Sequence, residues 1–306
     1  MIQTQLALLQ RELWEHRAVF VVPAIVAVIT LLMSWTGQVT IGELEHLDAG
    51  IVGLSNMPEN VRAAALSFMM VGLAVSFIIA MWILTIFYAL DALYAERKDR
   101  SILFWRSIPV SDFETVLSKL LTALLVIPLV TFVIIAATQL LVLLSLTVQV
   151  DARGGSPWQL IWAAAPFLDT WAATIVLLIA LPLWLSPFIG WFLFVSAFTK
   201  RAPLLVAAMP IVLLPMFEKL FFDSALMAEA FFVRSLKFPL FTGIDSMTLM
   251  MQETEDLAAL AEAELSVFSL LDLGNFLASP ELWLGIAVCG IFSAAAIYLR
   301  RYRDDS

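Results

Sequence analysis

The stretch YAERKDRSILFWRSIPVSDFETVLSK, residues 94–119, lies between two long apolar segments and mixes charged with apolar side chains. It contains five cations and four acids: Arg97, Lys98, Arg100, Arg106, Lys119, Glu96, Asp99, Asp112 and Glu114. Phe104 and Trp105 stand among these charges. Because a merely solvated connection has no need of so many apolar residues, the stretch predicts a short helix outside the membrane that docks on another protein. The alternative is a basic segment that only fixes the orientation of the chain.

The composition is that of an integral membrane protein. Of the 306 residues, 62% are hydrophobic and 14% are charged, and the mean hydropathy is +0.95. Soluble domains are about half apolar and about a quarter charged. The net charge of −9 does not favour nucleic acid as a partner. One cysteine and two histidines give no basis for a disulfide framework or a metal site, so we expect no cofactor in this chain.

The apolar runs predict an all-α protein with six membrane spans in a single domain, residues 1–306. A span needs about 20 mostly apolar residues. The predicted spans are residues 18–36, 63–90, 120–148, 171–198, 203–222 and 281–299, with an outer segment at 223–280. Residues 2–16 are amphipathic, with Leu6, Leu9, Leu13 and Trp14 near one face, and predict a helix at the membrane interface. Alternatively they begin the first span. This N-terminal stretch does not have the pattern of a cleavable signal.

Two features around the central stretch locate helix ends. Ser111 and Glu114 match the S-x-x-E capping box, which satisfies free N–H groups at the start of a helix. Pro109, just before them, separates this helix from the short one that precedes it. The third span is therefore expected to be the apolar part of a longer helix that begins near Ser111.

The distribution of lysine and arginine predicts the orientation. With six spans, one side of the membrane carries twelve cations and the other carries five, namely Arg62, Arg153, Lys219, Arg234 and Lys237. Cytoplasmic connections are enriched in Lys and Arg. We therefore expect both termini and the central stretch to lie in the cytoplasm.

Catalytic motifs are absent from the sequence. It contains no G-x-x-x-x-G-K-[ST], no H-E-x-x-H and no G-x-S-x-G. The chain is therefore not expected to bind or hydrolyse ATP, or to act as an enzyme, by itself.

The central stretch resembles the connection between spans two and three of type-2 ABC transporter permeases, the export-type membrane subunits. The family pattern falls on Glu96, Arg97, Ser101, Phe104, Ser107, Pro109, Val110, Ser111 and Lys119. The closing segment PELWLGIAVCGIFSAAAIYLRRYRDD, residues 280–305, is similar to the last span of such permeases. The segment between spans five and six is longer and more acidic than in small members of the family, which leaves the transported substrate open.

The resemblance implies a role for each part of the stretch. Residues 99–107 would form a cytoplasmic coupling helix that inserts into a groove of a separate ABC ATPase subunit, which would carry ATP and Mg²⁺. Phe104 and Trp105 would be its apolar anchors, as at interface hot spots. The remaining residues assigned to coupling are Glu96, Arg97, Arg100, Ser101, Arg106 and Pro109.

The resemblance also implies partners and a location. One six-span chain would form half of the pathway, so a second permease copy or a paralogue is expected, in contact with lipid in the cell's inner membrane. A non-transporting membrane anchor for a partner protein is the alternative, and a secondary transporter is a third hypothesis. The acidic segment, helical over about residues 247–271, would either cap the pathway exit or be only solvated. Glu218 is a weak candidate for a functional acid within a span.

Overall fold

A computed structural model describes residues 2–35, 58–99, 110–152, 154–241 and 266–302. These residues form helices and no strands, which confirms the predicted all-α class. Six helical segments are long and apolar enough to cross a membrane, as predicted, so the chain is a multi-pass membrane protein. In chain order the α-helices are α1 (Ile2–Glu15), α2 (Ala18–Trp35), α3 (Glu59–Asp91), α4 (Tyr94–Lys98), α5 (Asp112–Leu121), α6 (Ile127–Asp151), α7 (Phe167–Trp184), α8 (Ser186–Phe198), α9 (Pro203–Phe222), α10 (Leu226–Leu236), α11 (Leu273–Ala278) and α12 (Pro280–Tyr302).

The third span begins as the capping box predicts. The Ser111 side chain accepts from the Glu114 N–H, and the Glu114 carboxylate accepts from the Ser111 N–H at 3.1 Å. A π-helical turn, Thr122–Val126, joins α5 to α6 without interrupting the span. Pro128 follows this turn, and a proline ring crowds the carbonyl one turn earlier in a regular helix. The wider turn accommodates the proline inside an otherwise continuous helix.

The fourth predicted span is two helices, α7 and α8, that meet at Leu185. Pro187 has no N–H to donate, which ends α7 and places this proline in the first turn of α8. The N–H of Phe188 donates to Leu185 O at 3.0 Å. The Trp184 carbonyl at the break accepts instead from a side chain, that of Arg234.

Helix α10 runs back along α9 into the bundle. Glu218 stabilises the turn between the two helices, because its carboxylate accepts from the N–H groups of Leu226 at 2.9 Å and Met227 at 2.7 Å. Phe231 and Arg234 of α10 then lie beside Ile211 and Leu214 of α9, in the wall of one cavity. The segment that follows span five is thus not wholly outside the bundle, and Glu218 has a structural role as a helix cap.

The helices pack at different densities. Helices α8 and α12 approach so closely that a Cβ at Gly190 would lie 2.8 Å from the Cα of Cys289. In α9, by contrast, only Ala207 is buried. The 18-residue apolar window of α9 is 6% buried, whereas the window of α2, the next least enclosed span, is 22% buried. Helix α9 is therefore the span least covered by the rest of this chain.

Candidate functional site

A buried ionic cluster joins segments that are far apart in the sequence. It comprises Arg11 and Glu12 of α1, Glu96 of α4, Asp112 and Lys119 of α5, and Arg300 of α12. The N-terminal helix, the two flanks of the central stretch and the end of the last span therefore meet at one end of the bundle.

Glu12 and Lys119 form the centre of the cluster, and both side chains are buried. The Lys119 Nζ lies 2.9 Å from Glu12 Oε1 and 3.1 Å from Glu96 Oε1. The Tyr88 hydroxyl donates to the other oxygen of Glu12 at 2.8 Å. A buried charge is tolerated only where partners and hydrogen bonds replace its hydration, and Glu12 has both.

Glu96 connects the centre to the last span. Its Oε1 accepts from Arg11 Nη2 at 2.7 Å, and its Oε2 accepts from Arg300 Nη1. Arg300 Nε donates in turn to Asp112 Oδ1 at 2.9 Å. Among the described residues, three acids and three bases thus balance each other in the interior of the cluster, and the exposed Glu15 adds a second carboxylate to Arg11 at 2.9 Å. Such a balance is the condition for burying so many charges at moderate cost.

His16 lies at the edge of the cluster, between α1 and α2. Its ring packs edge-on against Tyr88, with centroids 4.8 Å apart, and its Nε2 is 3.7 Å from Glu12 Oε2. Burial lowers the pKa of His16, and the charge of Lys119 acts in the same direction while that of Glu12 opposes it. The imidazole is therefore held towards its neutral form.

Arg97 links the central stretch to the fourth span. One of its Nη groups donates to the carbonyls of Ser196 and of Thr199, the latter at 2.8 Å, at the C-terminal end of α8. A cation is favourable at that end of a helix. The Ser196 hydroxyl accepts from the N–H groups of Leu93 at 3.0 Å and Tyr94 at 2.9 Å, where α3 gives way to α4.

The structure locates only part of the predicted coupling site. Glu96 is buried and Arg97 is half-buried, and both side chains bind other helices of the same chain. The other predicted site residues lie outside the described residues: Arg100, Ser101, Phe104, Trp105, Arg106 and Pro109. Most of the acidic segment, residues 242–265, also lies outside them. The parts of the stretch on either side of residues 99–107 are nevertheless anchored, by Glu96 and Arg97 before them and by Asp112 after them.

Sequence reasoning did not identify Glu12, Tyr88 or Arg300 as members of a site. For Glu12 a signal was present, because it follows Leu8 by four residues and both are buried on the same face of α1. The face predicted to be apolar is a different one and is partly exposed from the protein, since Leu6 and Trp14 are 56% and 78% exposed. Arg300 gave no such signal, because arginines at the end of a last span are usual.

The cluster is suited to mechanical linkage. It offers paired charges and no arrangement of histidines, cysteines or acids that could hold a metal ion among the described residues. Separating any pair would leave a charge buried without its partner, so the joined segments are expected to move together. Comparison with models of known protein families, with curated proteins and with solved structures finds no match to this chain.

Proposed function

We propose that the chain is the membrane-spanning permease subunit of an ATP-binding-cassette exporter. The observation that carries this proposal is the ionic cluster, which ties both flanks of the central stretch to the first helix and the last span. A docking segment that transmits movement has to be attached firmly at both ends, and these attachments are buried and charge-balanced. The resemblance of the stretch to the family's coupling region adds independent support.

In this proposal the stretch passes movement from a separate ATPase subunit to the spans. Residues 99–107 form the coupling helix, with Phe104 and Trp105 in a groove of the ATPase, and that subunit binds ATP and Mg²⁺. When ATP draws two ATPase subunits together, the stretch moves. Glu96 and Asp112 carry the movement to α12 through Arg300, and Arg97 carries it to α8. The two conformations differ in their contacts with the ATPase, which is what allows ATP to shift the equilibrium.

A second permease copy or a paralogue completes the pathway in this proposal. The exposure of α9 supports this second copy. Only 6% of the apolar window of α9 is buried, so the helix offers a long apolar face to another helix. The protein would lie in the cell's inner membrane with both termini in the cytoplasm. The exposed Leu6 and Trp14 would place α1 at the lipid surface while Leu8 and Glu12 face the protein.

The test is co-purification of the ATPase with variants of the stretch. Loss of a buried aromatic anchor costs about 2 kcal/mol or more at an interface, whereas an exposed ion pair contributes roughly 0–1 kcal/mol. Trp105→Ala and Phe104→Ala should therefore weaken assembly, and ATP hydrolysis stimulated by the membrane subunit, more than Arg100→Ala does.

The same experiment separates this proposal from the alternative. A non-transporting anchor would bind its partner without changing hydrolysis. If both aromatic substitutions leave assembly and stimulated hydrolysis intact, the docking role is wrong and the stretch only fixes orientation.

A further inference from the structure

An apolar cavity of about 400 Å³ opens between α8, α9, α10 and α12, away from the ionic cluster. Its walls are mostly aromatic and aliphatic, and include Phe188, Trp191, Ile211, Phe231, Val288 and Phe292. Among the described residues that line it, Arg234 of α10 is the one with a charged side chain. A cation in an otherwise apolar wall requires an explanation, because burying a charge without a counter-charge is costly.

The backbone break in the fourth span holds Arg234 in place. Its Nε and Nη2 donate to Trp184 O at 3.0 and 2.8 Å, and its Nη1 donates to Glu281 O at 2.6 Å. The guanidinium also lies 4.4 Å from the centre of the Trp184 ring, and the Trp184 indole donates to Arg234 O. The site therefore exists because α7 ends at Trp184 and frees that carbonyl.

No carboxylate forms an ion pair with this guanidinium within the described part of the chain, although the charge of the more distant Glu281 attracts it. Glu281 contributes its carbonyl, and no acid side chain there lies within 4.0 Å of Arg234. An arginine has five N–H donors, and the three hydrogen bonds to carbonyls use three of them. The contacts among the described residues thus leave two N–H donors at the cavity wall, on a cation whose charge Glu281 offsets only from a longer distance.

The depth of the site makes this charge significant. Gly285 lies beside Arg234 and 15 residues before Arg300, which is about 22 Å along a helix. The hydrocarbon layer of a membrane is about 30 Å thick. With Arg300 near one membrane surface, Gly285 and Arg234 lie roughly 8 Å inside the opposite surface, close to the level of the lipid phosphates.

We propose that this cavity binds an anionic membrane lipid, with an acyl chain against the aromatic walls and the phosphate of the headgroup on Arg234. The apolar walls match the chain, and the planar guanidinium donates to phosphate oxygens through its remaining N–H groups. A lipid with a zwitterionic headgroup offers the same chains and the same phosphate, but its ammonium group brings a second positive charge close to the guanidinium, so the cavity favours an anionic headgroup. Transport activity is not required for this binding.

The test uses the full chain in nanodiscs and photoactivatable lipids with a diazirine on the acyl chain. Phosphatidylglycerol should label peptides of α8, α10 and α12 at least about tenfold more than phosphatidylcholine. Both lipids offer the same phosphate, but the choline cation repels Arg234 by more than about 1.4 kcal/mol at a separation of about 8 Å. Unlabelled phosphatidylglycerol should compete, and inorganic phosphate should not. Arg234→Gln should remove the headgroup preference, and Arg234→Lys should keep part of it.

Two glycine substitutions in α12 form a matched pair. A Cβ at Gly285 would lie 1.8 Å from Arg234 Nη2, so Gly285→Ala must displace the guanidinium and reduce the preference. Gly290→Ala is the control, because no atom outside its own helix lies within 4 Å of a Cβ there.

Equal labelling by the two lipids in the unaltered protein, labelling outside the cavity, or competition by phosphate but not by lipid would each overturn the proposal, even if Arg234→Gln fails to fold. None of these measurements involves the ATPase, so their failure leaves the proposed exporter function untouched.

Discussion

At the scale of single residues, Lys119 shows why the cluster holds together. Its side chain is fully buried, and its two carboxylate partners come from α1 and α4. Removing one member of a buried pair leaves the other charged and unsolvated, which costs more than the pair itself contributes. Lys119 therefore fixes the positions of Glu12 and Glu96 more than it adds net stability.

The substitution Lys119→Met should lower the free energy of unfolding by about 3–5 kcal/mol, because it leaves two carboxylates close together without their shared cation. Adding Glu12→Gln should recover part of this loss, since two acids and two bases then remain in the cluster. The pair should show a coupling free energy of about 0.5–3 kcal/mol. Thermal unfolding of the purified protein in detergent measures the double-mutant cycle.

The matched control is Lys219→Met. Lys219 also pairs with a carboxylate, that of Asp223 at 2.6 Å, but both side chains are largely exposed. An exposed pair contributes roughly 0–1 kcal/mol. Equal losses for Lys119→Met and Lys219→Met would show that the cluster is not buried as described.

At the scale of elements, α1 is held to the bundle by one polar face. Leu8 and Glu12 are buried, and the amide of Gln5 donates to Glu114 O at 3.3 Å, so the helix packs on α5. A break at residues 16 and 17 separates it from α2. Its attachment thus depends on Glu12 and on the neutral His16 that covers it.

Acidification should weaken the attachment of α1. Because burial lowers the pKa of His16 in the folded protein, the unfolded or detached state binds a proton more readily. The contribution of His16 to the free energy of attachment is fully present above the ordinary histidine pKa of about 6.5. It is lost as the pH falls from there to the lowered pKa of the folded state, by up to about 1.4 kcal/mol per pH unit. Hydrogen exchange of the α1 amides at pH 7.5 and 5.5, corrected for intrinsic rates, measures this change.

The contribution of His16 is the difference in pH dependence of α1 amide exchange between the unaltered protein and His16→Gln. The substitution removes this titration and leaves the other groups in place, so α1 protection should depend less on pH in the variant. The same pH dependence in both proteins would contradict the assignment to His16.

Local rules account for the elements that the sequence predicted well. The start of α5 depends on Ser111 and Glu114 alone, and α9 occupies the predicted residues 203–222 because a proline opens it and its apolar run is continuous. The division of the fourth span at Leu185 and the return of α10 were not predicted. Pro187 is a local signal for the division, whereas the return of α10 depends on Arg234 reaching a carbonyl 50 positions away, which no local pattern encodes.

At the scale of the whole molecule, the cluster places distant parts of the chain on one side. Glu96 and Arg300 are 204 positions apart and form an ion pair. Residues 11–16, the flanks of the central stretch, the end of α8 and the end of α12 therefore share one end of the bundle. Six crossings, from α2 to α12, return the end of the last span to the side on which α1 lies. The position of the ionic cluster therefore agrees with the count of six spans.

The side on which this end lies is predicted from the lysines and arginines of its connections. The prediction is that single cysteines at Lys98 and at Asp151, in a Cys289→Ala background, label from opposite sides of the membrane. Both positions are exposed. Lys98 ends the second span and Asp151 ends the third, and these two spans cross the membrane in opposite directions. In intact cells a membrane-impermeant maleimide should label Asp151→Cys, and should label Lys98→Cys only after permeabilisation.

The outcome bears on more than orientation, because ATP is in the cytoplasm. Labelling of Lys98→Cys alone in intact cells would place the central stretch outside, where no ATPase can drive it, and the exporter proposal would fail although the fold stands. Labelling of both positions from outside would contradict an uninterrupted crossing between them, and with it the six-span arrangement. Only labelling of Asp151→Cys alone keeps the ionic cluster, the central stretch and the source of ATP on the same side.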